Sequence, residues 1–118
     1  MKLAQDLQTA IMKHDTKEIK SLFKSNIPED VAKALVEQDS FGSSAISYIL
    51  RVGDKEVLNT FIENYLSPKG TKFNINGSAP ELEIALRITE FDPYDVIKCL
   101  ETVYDTQDVS MLLGDQFY

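Results

Sequence analysis

Asp39 to Ile62, DSFGSSAISYILRVGDKEVLNTFI, places a polar turn with Gly42 ahead of a short apolar run, a break at Gly53, and a longer apolar run with charged flanks. Glycine reaches positive φ where a Cβ would be strained, so Gly42 and Gly53 each read as a point where the chain reverses. Ser43 or Ser44 supplies a hydroxyl for an orphan amide at the start of a first helix. Asp54 and Glu56 bring negative charge to the positive end of a second. Along that second helix Val57, Leu58, Phe61, Ile62 and Tyr65 fall on one apolar stripe. The stretch is a helix-turn-helix unit with one face to bury.

Residue by residue, this unit resembles an ankyrin repeat. Asp39 and Gly42 stand where that family opens with Asp and Gly, and Ser44, Ala45, Ile46 and Ser47 occupy its Thr-Pro-Leu-His tetrapeptide. Ile49 and Leu50 take the place of its two small residues, Gly53 its turn, and Val57-Leu58 and Phe61-Ile62 the two aliphatic pairs of its second helix. The tetrapeptide is degenerate, and bulky residues replace the small pair. The resemblance implies a non-enzymatic protein-binding module without a cofactor. Contacts would come from turn tips and the concave helix face, here the Asp39 to Gly42 turn, the Ser67 to Gly77 loop and first-helix positions.

Outward from this unit the pattern recurs. Leu3, Leu7, Ala10 and Ile11 predict a helix over residues 2–13, and Asp15 with Glu18 has capping-box spacing ahead of Ile19, Leu22 and Phe23. Ile19 aligns with Val57 at an interval of 38 residues, and Val57 with Val96 at 39. Three helical hairpins at near-constant spacing are the mark of a solenoid, in which each unit leaves a face only its neighbour covers. The interval exceeds the ankyrin period of about 33, so further segments are expected between the units. Val31, Leu35 and Val36 after Pro28 predict a short helix, and SPKGTKFNING (residues 67–77) a loop or loose hairpin. Ser78 with Glu81 predicts a capping box for a helix lined by Leu82, Ala85, Leu86 and Ile88, with Ile84 less well placed. Asp92-Pro93 opens the next helix. Asp105 or Thr106 caps a last one ending near Gly114.

The expected fold is thus all-α, a short ankyrin-like solenoid of about seven or eight helices in one domain. Its units span about 2–37, 39–66 and 78–104, with a C-terminal capping helix over 106–114.

Charge narrows the partners. The net charge of −7 is uneven: residues 1–72 hold ten Lys/Arg and ten Asp/Glu, whereas residues 73–118 hold two against nine. Such a field repels nucleic acid and favours a basic protein surface, although an acidic face also serves solubility alone. No run approaches the roughly 20 apolar residues of a membrane span, and Gln5 and Asp6 interrupt any signal-peptide core. A cytoplasmic location is expected, with non-classical secretion as the other route. Lys13, Lys17, Lys20 and Lys24 share one helix face with Asp15 and Glu18 between them, the pattern of a solvated side.

Residues able to do chemistry are few. His14 reads as a cation at a helix C-terminus and Cys99 as a buried structural thiol, though together they form a formal Cys-His pair. Glu81 with Glu83 and Asp92 with Asp95 could mimic an acid/base pair, but helix first turns account for both. No cofactor or metal ligand set is expected. The candidate partner-binding residues are Phe41 and Phe73, as loop aromatics, and Glu90, Asp92, Asp95 and Glu101, as acids of the C-terminal third. An inhibitor or immunity protein facing a basic target is the leading role. A secreted bacterial effector or its chaperone, a scaffold fragment and a small carboxylate-dependent enzyme are the alternatives.

Overall fold

In a computed structural model of the chain, which describes residues 2–65 and 72–117, three aspartates set the frame. Asp15, Asp54 and Asp92 each turn a side-chain oxygen onto the amide three residues ahead, at 3.1 Å from Glu18, 2.9 Å from Val57 and 2.8 Å from Asp95. Each satisfies an orphan donor and so starts the second helix of a hairpin. Eight helices are described: α1 (Lys2–Met12), α2 (Thr16–Ser25), α3 (Pro28–Val36), α4 (Ala45–Val52), α5 (Lys55–Asn64), α6 (Ala79–Ile88), α7 (Pro93–Val103) and α8 (Thr106–Phe117). No strand occurs among the described residues; Phe73 and Tyr104 form an isolated bridge.

The hairpins α1-α2, α4-α5 and α6-α7 lie side by side. First helices pack in one row, α1 on α4 on α6, and second helices in another, α2 on α5 on α7. α8 closes the stack against α6 and α7, as the apolar Val109, Leu112 and Leu113 led one to expect. α3, the extra segment, packs on α1, α4 and α7 through Val31, Ala32, Ala34 and Leu35. The Cα radius of gyration is 12.9 Å, at the value of about 13.5 Å expected for a globular chain of this length. Three units and two covering helices therefore make a globule with a continuous core.

The capping aspartates also fix the register. Counted from them, Ile19 corresponds to Leu58 and Val96, one residue away from the alignment of Ile19 with Val57. Val57 and Leu58 are both fully buried, so an adjacent aliphatic pair left the apolar pattern ambiguous where the caps are not. Between α2 and α5 the packing is aromatic: Phe61 stacks on Tyr65 at 5.5 Å between centroids, and Phe23 meets both at 6.3 and 6.2 Å.

Several helix ends differ from the sequence reading, each for a local reason. α1 closes in a Schellman motif, with the Asp15 amide on the Ala10 carbonyl and the His14 amide on that of Ile11, and His14 takes the left-handed position at φ 55°. Gly42 has the expected positive φ of 81°, but Gly53 is extended at φ −71°. Gly53 is needed instead for room, since a Cβ there would lie 2.5 Å from the Ile49 carbonyl oxygen. α4 starts with a reciprocal box between Ser44 and Ser47, which decides between Ser43 and Ser44. The box expected between Ser78 and Glu81 does not form, because Glu81 reaches across to α4. Asp105 caps α8 by accepting from the Gln107 and Asp108 amides, and the helix runs past Gly114 to Phe117. Ile88, expected inside, is 53% exposed. Of the 67–77 loop, residues 67–71 lie outside the described residues, as do Leu66 and Tyr118.

Gly53→Ala is expected to cost about 1–3 kcal/mol, because the new Cβ forces a backbone shift in a packed turn. Gly114→Ala, whose Cβ meets no atom within 4 Å, should instead gain about 0.5–1 kcal/mol of helix stability. Denaturant unfolding of the two variants checks both signs.

Candidate functional site

The turn before α4 is built by one carboxylate. Asp39 Oδ1 accepts from the amides of Phe41 (2.9 Å) and Ser43 (3.0 Å), and its Oδ2 from the Tyr48 hydroxyl (2.5 Å). The backbone closes the same turn, Asp39 amide to Ser43 carbonyl at 2.8 Å and Gly42 amide to Asp39 carbonyl at 3.0 Å. Burial pushes the Asp39 carboxyl up, but these donors outweigh it and hold its pKa below the ordinary value. The same bond raises that of Tyr48. Arg51 lies over the Tyr48 ring at 5.6 Å and donates from Nη1 to Ser43 Oγ at 3.0 Å. At the tip of this braced turn Phe41 is 89% exposed.

Beneath the turn sits Glu81, 8% exposed. Its Oε2 accepts from the Ser44 amide (2.6 Å) and the Ser47 hydroxyl (3.1 Å), so a carboxylate from α6 occupies the positive end of α4. Its Oε1 is buried with no hydrogen-bond partner. Desolvation raises the Glu81 pKa, against which the bonds from Ser44 and Ser47 act. Tyr104 is fully buried close by, its hydroxyl beside Ser78 and Ser44 without completing a hydrogen bond. Burial, with Glu81 and Cys99 near it, pushes the Tyr104 pKa up to about 12.

At the other end of α4 the turns of the three hairpins meet. His14 sets Nδ1 3.2 Å from an Asp54 carboxylate oxygen and Nε2 2.5 Å from the Val52 carbonyl, joining the first unit to the second. Lys55 pairs with Asp95 at 2.6 Å, joining the second to the third, and this partner raises the pKa of the exposed Lys55. A cleft of about 510 Å³ between these turns is lined by His14, Val52, Lys55, Glu90, Asp92 and Asp95 among others.

The structure therefore brings together three of the six candidate residues. Glu90 and Asp92 are exposed in this cleft, whereas Asp95 is buried in its pair with Lys55. Glu101 is apart from them, near the C-terminus of α7, where Lys72 donates to its carbonyl at 2.7 Å. Phe73 is half-buried against the core, held by its amide on the Val103 carbonyl and by the Asp105 amide on its own, each at 2.9 Å. Phe41 alone of the two aromatics stands out.

Sequence reasoning missed the exposed apolar residues at the ends of the first helices. Met12, Val52 and Ile88 are the last residues of α1, α4 and α6, and all three are exposed, with Ile84 one turn before Ile88. Their signal was positional: each is the final apolar residue before the turn of its hairpin. The nucleophile reading gains nothing, since Cys99 is fully buried with its thiol pushed up to about 12 by desolvation, and the His14 nitrogens face Asp54 and Val52. Among the described residues no three His, Cys, Asp or Glu side chains group as metal ligands do, and no helix is long and apolar enough to cross a membrane.

Compared with known protein families, curated proteins and solved structures, the chain gives no match.

Glu81 makes its own pH signature. Its folded pKa lies above the ordinary 4.5, so the fold binds this proton more readily than the unfolded chain does. Its contribution to stability therefore improves as pH falls through the raised pKa toward 4.5. Unfolding curves across that window should show the gain in the wild type and its loss in Glu81→Gln.

Proposed function

We propose that this chain is a non-enzymatic protein-binding module of ankyrin-like architecture, which docks a partner bearing a basic surface on its first-helix row. The observation that carries the reading is Phe41, 89% exposed at the tip of a turn held by five hydrogen bonds around Asp39. A rigid exposed aromatic loses little conformational freedom on binding and buries a large apolar area, the profile of an interface anchor. Ile84 lines the same cavity as Phe41, and Met12, Val52 and Ile88 are exposed as the last residues of the first helices.

Charge supports the choice of partner. Glu90 and Asp92 are exposed on the cleft that Val52 also lines, an acidic rim beside an exposed apolar residue, and residues 73–118 carry nine acids against two bases. Such a rim steers a basic surface into register and raises its on-rate more than its affinity. The two rows of helices, with Ser44 and Ser47 paired at the positions of Thr and His in the ankyrin tetrapeptide, support the architectural part. A small acidic module with one anchor and one acidic rim fits an inhibitor or immunity protein that covers a basic target.

Capture from a lysate of the source cells, with the wild type and two variants at low and high salt, tests the reading. Phe41→Ser should lose capture at both salts by about tenfold or more. Glu90→Lys, which leaves the Asp92 cap and the Lys55-Asp95 pair in place, should weaken capture at low salt and reduce its salt dependence. Capture unaffected by Phe41→Ser would overturn the proposal.

A further inference from the structure

His14 holds a conformation that a histidine takes at a cost. It closes α1 at φ 55°, in the left-handed region where glycine or asparagine is the usual choice. The larger side chain gives reach. From the turn of the first hairpin the ring spans to the second, with Nε2 2.5 Å from the carbonyl oxygen of Val52, the last residue of α4, and Nδ1 3.2 Å from Asp54 Oδ2.

A backbone carbonyl and a carboxylate can only accept hydrogen bonds. A neutral imidazole carries one N–H, so here it would set the lone pair of its other nitrogen against an oxygen, whereas the imidazolium donates from both nitrogens. A positive charge also suits the place, because the Val52 carbonyl lies at the negative end of the α4 macrodipole. The charged groups around the ring come from all three hairpins. Asp54 faces it from the start of α5. Lys55, bonded to Asp95, lines the same cleft with Glu90 and Asp92. In its own turn Lys13 precedes it, and Asp15 follows with its carboxylate on the Glu18 amide.

We propose that His14 is a proton-operated latch between the first and second hairpins. Protonated, it ties the first turn to both the end of α4 and the start of α5. Neutral, it can keep only one contact. A bond to an ionised acceptor is the stronger of the two, so the ring keeps Asp54 through Nδ1–H and releases Val52. The packing of α1 on α4 holds the stack in both states. Histidine changes charge between about pH 5 and 8, so the latch is closed on the acid side of that window and opens as pH rises through it. Opening also takes a positive charge from the cleft of Asp54, Glu90 and Asp92, which turns more negative. Neither contact involves the Phe41 turn, so the latch stands or falls independently of that anchor.

NMR of the ¹⁵N,¹³C-labelled full chain between about pH 5 and 8 tests the latch. At the acid end both ring nitrogens of His14 should carry protons. As pH rises the Nε2 proton should be lost and the Nδ1 proton kept. The Gly53 amide nitrogen, joined to the Val52 carbonyl carbon, should move with the same midpoint. Nuclear Overhauser contacts from the ring to Val52 and Gly53 should fade with it, which separates opening from a change of charge alone. Asp54→Asn gives the sharper comparison. Its side-chain oxygen can keep the cap on the Val57 amide, now held at 2.9 Å, and its amide nitrogen then offers Nδ1 a donor. A neutral ring with its proton on Nε2 is then bonded at both ends, so the contacts to Val52 should persist to the alkaline end. Three results would each overturn the proposal: an unprotonated ring nitrogen at the acid end, ring contacts to Val52 that survive deprotonation in the wild type, or contacts that fade equally in Asp54→Asn. The wild-type titration decides alone if the variant does not fold.

Discussion

A carboxylate from one hairpin caps the helix of another. Glu81, near the start of α6, holds the Ser44 amide at 2.6 Å and the Ser47 hydroxyl at 3.1 Å at the start of α4. Burying an ionised carboxyl costs several kcal/mol unless hydrogen bonds and a favourable field offset it. Both are present, as two donors and the positive end of the α4 macrodipole, and they offset only part of it, since desolvation still holds the Glu81 pKa above its ordinary value. α4 is the middle first helix, packed on α1, α3, α6 and α7 with Ala45, Ile46, Ile49 and Leu50 buried. Fixing its N-terminus from the third unit sets the spacing of the first-helix row and the seat of the Phe41 turn together.

The opposite end of α4 repeats the device with weaker parts. His14 reaches Val52 and Asp54 from the first unit at half-exposed positions, and the exposed Lys55 reaches the buried Asp95 in the third. Exposed pairs contribute little stability. Their part is to align the turns, which leaves the exposed Glu90 and Asp92 on one cleft rather than dispersed. The two ends of α4 thus differ in kind: a rigid aromatic tip over a small cavity at one, an acidic rim at the other.

Much of this was legible in the sequence because the governing signals are local. Aspartate caps, prolines at first helical positions and apolar stripes located the eight described helices, and the recurrence of the stripes, off by one residue at Val57, pointed to their pairing. What was not legible depends on contacts between units. Glu81 has capping-box spacing from Ser78, and nothing in the chain says that it leaves its own helix for another 37 residues away. Gly53 reads as a positive-φ turn, and only the packed turn reveals that it clears the Ile49 carbonyl. Phe41 and Phe73 look alike as loop aromatics; a bridge to Tyr104 draws one against the core, and the Asp39 bonds hold the other out. Of the four acids, Asp95 proved to be a structural partner of Lys55, because a lysine 40 residues earlier faces it.

Amide hydrogen exchange at Ser44 tests the central claim most directly. An amide at a helix N-cap has no backbone partner within its helix and normally exchanges through small local openings. If Glu81 locks the third unit onto α4, the Ser44 amide should exchange as slowly as the core amides of Ile49 and Leu50, released only by global unfolding. Exchange as rapid as that of the exposed first-turn amides of Lys55 and Glu56 would contradict the account.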